Sequence, residues 1–169
     1  WSEILKELPN SKLFLKYGSF DVPEIKNIFL KEFLSNGVKA EQIIIEGRSD
    51  REKYLKCYNS IDIVLDSFPI NGGTTNFEAS YMGVPILTNS IKNNAWFKNG
   101  LSINKNLNME DWIAENEKDY IHKAIKFSRD KKKLIEIKKD LRNLSLKSPL
   151  FDSAKFAEDF YEMLLDIKK

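Results

Sequence analysis

The run from Ile61 to Thr88 constrains the fold of this chain more than any other stretch. Its order is apolar strand, glycine turn, hydroxyl-bearing helix start and second apolar strand. Ile61 to Leu65 is rich in β-branched residues, as expected of a strand covered on both faces of a parallel sheet. Pro69 ends it, and Asn71-Gly72-Gly73 forms a loop where backbone can approach a ligand closely. Thr74 and Thr75 open a helix, and their hydroxyls are expected to satisfy the first-turn N–H groups. Those N–H groups and the helix dipole also suit an anion such as phosphate. Glu78, four residues after Thr74, shares its face of the helix. Gly83-Val84-Pro85 stops the helix and starts the next strand.

The rest of the chain repeats this alternation. Trp1 to Leu8 has the pattern of an amphipathic helix entered midway, which points to a fragment whose first strand lies elsewhere. Lys12 to Lys16 and Gln42 to Glu46 are predicted strands. Between them Asp21 is the expected cap of a helix begun by Pro23, with Ile25, Ile28, Phe29, Phe33 and Leu34 at helical spacing and an end near Asn36-Gly37. Ser49 or Asp50 caps a helix to about Tyr58. After Thr88 the polar loop Asn89 to Asn99 carries Trp96 and Phe97. Met109 to Ala114, Glu117 to Arg129 and Lys131 to Leu146 have helical patterns. Beyond Ser148-Pro149 a last helix sets Phe156, Phe160, Met163, Leu164 and Ile167 toward a core, so that residues 150–169 pack back on the domain. The reading is one α/β domain over residues 1–169, a doubly wound, Rossmann-like parallel sheet with C-terminal helices. Ligands on such sheets bind at the carboxyl ends of the strands, which brings Gly47 to Asp50, Ser67 to Thr75 and the segment after Thr88 to one rim.

Composition narrows the function classes. With 42% hydrophobic and 31% charged residues over 169 positions, the chain is an ordinary globular domain. A net charge of +2 gives no footing for nucleic acid. No apolar run approaches the roughly 20 residues of a membrane span. The single Cys57 allows no internal disulfide and fits a reducing, cytoplasmic compartment; its helical setting suggests a structural thiol. No metal site is expected: there is no Asp-x-Asp pair, His122 is the only histidine, and Asp62 and Asp66 stand at opposite ends of one strand. No Ser-His-Asp or Cys-His set can be assembled, so hydrolase readings fail.

The longer string Asp62-x-x-Leu-Asp-x-Phe-Pro-x-Asn-Gly-Gly-Thr-Thr-x-x-Glu-Ala-x-x-Met-Gly-Val-Pro85 resembles the donor-nucleotide segment of the O-GlcNAc transferase family. These are GT-B glycosyltransferases, including bacterial homologues and SPINDLY-type O-fucosyltransferases. The resemblance runs from Trp1-x-x-Ile-Leu-x-x-x-Pro-Asn-Ser11 to Ser148-Pro-Leu-Phe151. It implies the C-terminal half of a GT-B enzyme, with Gly72, Gly73, Thr74 and Thr75 holding the donor diphosphate. Thr74 and Thr75 would stabilise the leaving group, because N–H groups and hydroxyls fixed at a helix start receive its charge without reorganising. Glu78 matches the position that binds ribose hydroxyls. Backbone at Arg48 and Ser49 would read the base edge, Arg51 stands where the family has a lysine near the nucleotide, and Tyr54 replaces a histidine that stacks on the base. Lys98 falls near the place of a family arginine after the next strand.

The activity so implied is inverting transfer of a sugar to Ser or Thr of proteins, from UDP-GlcNAc without cofactor or metal. GDP-fucose is the alternative donor, since Glu78-Ala-Ser-Tyr-Met-Gly83 also resembles the SPINDLY branch. A non-catalytic scaffold keeping the fold is a third reading. No catalytic base is visible in this stretch. By the resemblance, acceptor proteins and the base belong to a preceding catalytic half and tetratricopeptide repeats, so the fragment alone is expected not to turn over.

Overall fold

The computed structural model describes residues 1–90 and 98–167. Strand β1 (Leu13–Lys16) pairs in parallel with β2 (Ile43–Glu46), placing Leu13 beside Ile43 and Lys16 beside Glu46. Strands β3 (Val64–Leu65), β4 (Ile86–Asn89) and β5 (Ile113–Ala114) form a second parallel set in the order β3-β4-β5. The parallel α/β architecture thus stands, but hydrogen bonding divides the strands into two sheets rather than one. The backbone N–H groups of Val64 and Asp66 both go to β4, at the carbonyls of Pro85 and Leu87, and β3 is only two residues long. Leu65 nevertheless packs on the cluster of Leu5, Leu13, Phe33 and Val38, so the sheets share a core.

Helices cover both faces. The named helices are α1 (Ser2–Glu7), α2 (Pro23–Ser35), α3 (Arg51–Cys57), α4 (Thr74–Tyr81), α5 (Asn99–Asn106), α6 (Glu117–Arg129), α7 (Lys131–Lys147) and α8 (Ser153–Ile167). Neighbouring residues of β4 face opposite ways, as the pleat requires. Leu87 packs with Trp112, Tyr120, Ala124 and Phe127 on the α6 side. Ile86 packs with Ala79, Ile103, Leu107 and Leu141 on the side of α4, α5 and α7. The buried Gln42 ties α1 to this frame through bonds from its amide to the carbonyls of Leu5, Leu8 and Ser11.

Several expectations are corrected. Residues 109–114 are not a helix: Glu110–Trp112 is one 3-10 turn, and Ile113–Ala114 is an edge strand whose Ala114 is fully buried. Helix α5 occupies residues 99–106, where no element was expected beyond the end of the polar loop at Asn99. Asp21 does not cap α2, whose N-cap is Val22; its carboxylate turns to Arg48 instead. Asp50 rather than Ser49 caps α3, accepting from the Lys53 amide. Cys57 is half-buried, its thiol directed to the Lys53 carbonyl. Leu150 and Phe151 pack on the domain, but residues 153–167 do not pack back. Over its described length, Ser153–Ile167, α8 is exposed throughout, Phe156 at 69% and Ile167 at 74%. Its last anchor is Phe151, whose ring meets Phe77 and Tyr81, and no described element lies across from the apolar stripe that follows. Trp96 and Phe97 fall outside the described residues.

Candidate functional site

Because β3 and β4 run parallel, the loop after β3 leaves at the same edge as the end of β4. The loop after β3 is built on Asp66, which is 2% exposed. Its carboxylate accepts from the Gly72 amide at 2.7 Å and from the Thr88 hydroxyl at 2.7 Å. Asn71 donates to the Ser67 carbonyl and reaches the Thr88 hydroxyl, which fixes the approach to Gly72. On the other side Tyr120 donates to the Asp66 carbonyl at 2.9 Å. A Cβ at Gly100 would overlap both the Asp66 carboxylate and the Thr88 hydroxyl, so the glycine lets α5 close over the pair. Burial raises the Asp66 pKa above the ordinary carboxylate value, opposed by the bonds from Gly72 and Thr88. Sequence reading passed over this residue as a strand-end acid. Its signal was position: a carboxylate directly after a buried strand and directly before a glycine loop with unsatisfied amides.

The loop delivers Gly73 as N-cap of α4, and no side chain caps the helix. Thr74 and Thr75 are exposed first-turn residues, so neither hydroxyl does the capping expected of it. This start of a helix is therefore open to the rim: no side chain caps it, and although the Asn76 backbone amide donates to the Gly73 carbonyl, the dipole of the exposed first turn favours an anion. Asn99 of α5 lies just beyond Gly73, its amide nitrogen 3.9 Å from where a Cβ would stand. Lys98, immediately before it, is exposed at this edge.

One turn further along α4, Glu78 faces α3. Its side chain is 11% exposed, and its two oxygens have different partners. Arg51 forms a short ion pair with one. The Tyr54 hydroxyl donates to the other at 2.9 Å. The Arg51 guanidinium also lies 5.7 Å from the centre of the Tyr54 ring, a cation–π distance. Tyr58 completes the set: its hydroxyl is 3.1 Å from that of Tyr54 and donates to the Thr75 carbonyl at 3.2 Å, while its ring stands edge-on to Tyr54. The hydrogen bond to Glu78 raises the Arg51 pKa, and burial raises those of Tyr54 and Tyr58, so the guanidinium stays charged and both phenols stay protonated. Tyr58 was not among the residues singled out from sequence, where it reads as the end of a helix.

The loop after β2 is braced from behind. The Arg48 amide donates to Asp21 at 3.0 Å, and a Cβ at Gly47 would overlap the same carboxylate. The Arg48 backbone N–H is thereby committed to Asp21. The structure thus joins Gly72, Gly73, Thr74, Thr75, Glu78, Arg51 and Tyr54 directly, and sets Arg48, Ser49 and Lys98 at the same edge. Among the described residues no group of three His, Cys, Asp or Glu side chains could hold a metal ion, and no helix is long and apolar enough to cross a membrane.

Parallel strands with helices on both faces, and an open glycine-led helix start at their carboxyl edge, define a doubly wound α/β domain, a class in which ligands bind at that edge. The pattern of glycosyl transferase family 41 matches residues 1–160, and the chain belongs to that family. It is 32% identical over 160 residues to a probable UDP-N-acetylglucosamine–peptide N-acetylglucosaminyltransferase SPINDLY of Solanum lycopersicum, covering 94% of this chain and 17% of that protein. The corresponding enzyme of Caenorhabditis elegans is 22% identical over 164 residues, covering 97% of this chain and 14% of the relative. In three dimensions the chain matches a mutant O-GlcNAc transferase of Thermobaculum terrenum with a TM-score of 0.86 at 26% identity, over 98% of this chain and 32% of that one. The chain therefore spans about one-sixth of the length of these curated relatives.

Proposed function

We propose that this chain carries the donor-nucleotide site of an inverting protein O-glycosyltransferase that transfers a sugar, GlcNAc from UDP-GlcNAc as first choice, to Ser or Thr hydroxyls. One observation carries the reading: the uncapped start of α4 and Glu78, one turn on, face the same edge as Arg51 and Tyr54 of α3. That spacing suits a nucleoside diphosphate. First-turn amides with the Thr74 and Thr75 hydroxyls take the diphosphate, the carboxylate of Glu78 accepts from ribose hydroxyls, and the Tyr54 ring offers a stacking face to the base. Breaking the sugar–phosphate bond leaves negative charge on the diphosphate, and donors already fixed at a helix start stabilise it as it forms. Ser49 supplies a backbone edge to the base, and Lys98 adds positive charge at the rim.

The names of the SPINDLY and Caenorhabditis elegans relatives support UDP-GlcNAc and a peptide acceptor. The acceptor and a catalytic base belong, in this reading, to parts of a longer polypeptide that includes tetratricopeptide repeats, so the chain alone gives no turnover. The lone unpaired thiol, Cys57, fits a cytoplasmic setting. Calorimetric titration of UDP and then GDP into the chain tests the reading, repeated with Thr75→Val and Glu78→Ala. UDP binding weakened by both substitutions is the expected result. Preference for GDP moves the donor to GDP-fucose. Binding of neither, or binding indifferent to both substitutions, refutes the donor site and favours a scaffold.

A further inference from the structure

The same residues are engaged with one another in a way that bears on how a ligand enters. Arg51 holds the Glu78 carboxylate and lies over the Tyr54 ring at the same time. Those are the two surfaces that the proposed site offers to the sugar and base of a nucleotide. The second Glu78 oxygen is taken by the Tyr54 hydroxyl, so the carboxylate has no oxygen without a partner. Resting on the donor-site reading, we propose that Arg51 is an exchangeable plug: it stands in for the nucleoside in the empty site and passes to the diphosphate when a nucleotide binds.

The geometry makes the exchange short. Arg51 is 64% exposed at its side chain while Glu78 is 11% exposed, so the mobile partner is the arginine and the fixed one is the carboxylate. From Glu78 back to Thr74 is four residues, a rise of about 6 Å along the helix axis. Helical side chains lean toward the N-terminus, so Glu78 already presents Arg51 toward the open end of α4. A swing of the arginine side chain over that distance brings the guanidinium to a phosphate oxygen, where its fork can make paired bonds. It also uncovers the Tyr54 ring for the base and frees one Glu78 oxygen for a ribose hydroxyl. Tyr58 keeps the frame still during the exchange, since its hydroxyl donates to the Thr75 carbonyl and its ring stands edge-on to Tyr54, tying α3 to α4.

The consequence is selection for the diphosphate that neither Glu78 nor Tyr54 gives alone. A neutral nucleoside must break the Arg51–Glu78 pair and offers the guanidinium nothing in return. A nucleoside diphosphate breaks the same pair and replaces it with a stronger partner.

The test compares uridine and UDP, or guanosine and GDP if the wild-type chain prefers that base, against the wild-type chain, Arg51→Gln and Arg51→Lys. Arg51 is on the surface of α3, so the substitutions leave the fold in place, and circular dichroism checks this. Arg51→Gln is expected to bind the nucleoside about two- to fivefold tighter, the range of an exposed ion pair removed from competition. The same variant binds the diphosphate about tenfold weaker, the size of one charge-assisted hydrogen bond lost. Arg51→Lys, which keeps the charge, recovers most of the preference for the diphosphate. Opposite signs for the two ligands are the mark of an exchange. Equal weakening of both, or no change in either, overturns the plug while leaving the nucleotide site intact. No saturable binding of either diphosphate by the wild-type chain overturns the donor site itself.

Discussion

Replacing Asp66 separates a structural carboxylate from a merely buried one. The side chain is 2% exposed and accepts two bonds of 2.7 Å, from the Gly72 amide and the Thr88 hydroxyl. Asp66→Ala leaves two donors without acceptors, and each such loss costs about 1–3 kcal/mol. Thr88 sits at the low end, because its hydroxyl can turn and still accepts from Asn71. Relief from burying a charge offsets part of the sum. The net loss is about 3 kcal/mol, or roughly 6–12 °C in Tm for a domain of this size. Asp66→Asn keeps an oxygen for Gly72 and turns an N–H toward Thr88, so it stays within about 1 kcal/mol of wild type. The pH dependence has a defined sign. Burial raises the folded pKa of Asp66 above its unfolded value, so the protonated form favours folding. That contribution is complete below about pH 4 and disappears as the pH rises through the folded value. Urea melts at about pH 4 and pH 8 read both effects: wild type loses stability relative to Asp66→Asn on going to the higher pH, and Asp66→Ala is weakest throughout. Equal destabilisation by Ala and Asn, or a loss below about 1 kcal/mol for Ala, refutes the acceptor role.

Two further expectations concern the ends of helices. Gly83 has φ +77° and closes α4 with paired bonds, its own amide to Ser80 and that of Val84 to Ala79, while a Cβ would stand 3.2 Å from the Lys138 carbonyl. Gly83→Ala therefore costs about 1–2 kcal/mol in urea melts, and an unchanged midpoint contradicts the left-handed cap. Phe156→Ser and Phe160→Ser, both on the exposed α8, leave the thermal midpoint of this chain within about 1 °C of wild type; a drop of several degrees would show that the helix packs on the domain after all.

Where local pattern and tertiary setting agree, the sequence was readable. Helix α6 begins and ends where its caps and periodicity place it, at Glu117 and Arg129, and β1, β2 and β4 lie within a residue or two of their apolar runs. Helix α5 was not readable. Asn-Gly-Leu-Ser-Ile-Asn-Lys-Asn is a poor helix former, and it is helical because tertiary contacts require it. Asn104 donates to the carbonyls of Ile86 and Trp112, and Gly100 fits against Asp66 and Thr88. Strand β5 is two residues long, too short for any period to register, and forms only because β4 offers it an edge. In α8 the periodicity correctly marked an apolar face, but periodicity says nothing about whether a partner stands opposite it.

The site divides along the same line. Gly72 to Thr75 and Glu78 are close neighbours along the chain, so their relation is local and a motif can carry it. The partners of Glu78 lie 24 and 27 residues earlier, on a different helix, and no spacing rule joins Arg51 or Tyr54 to it. That separation explains why a resemblance could name the residues yet miss their mutual engagement. Each was assigned a contact with nucleotide, and each is occupied by its neighbour instead. An ion pair that forms between two residues both suited to a ligand is a competitor of that ligand, and its cost appears in every affinity the site displays. On the proposed reading, binding at this edge is set by the difference between two arrangements of Arg51, not by the count of contacts a nucleotide makes. Strengthening the Arg51–Glu78 contact would weaken ligand binding even though every binding residue remained in place.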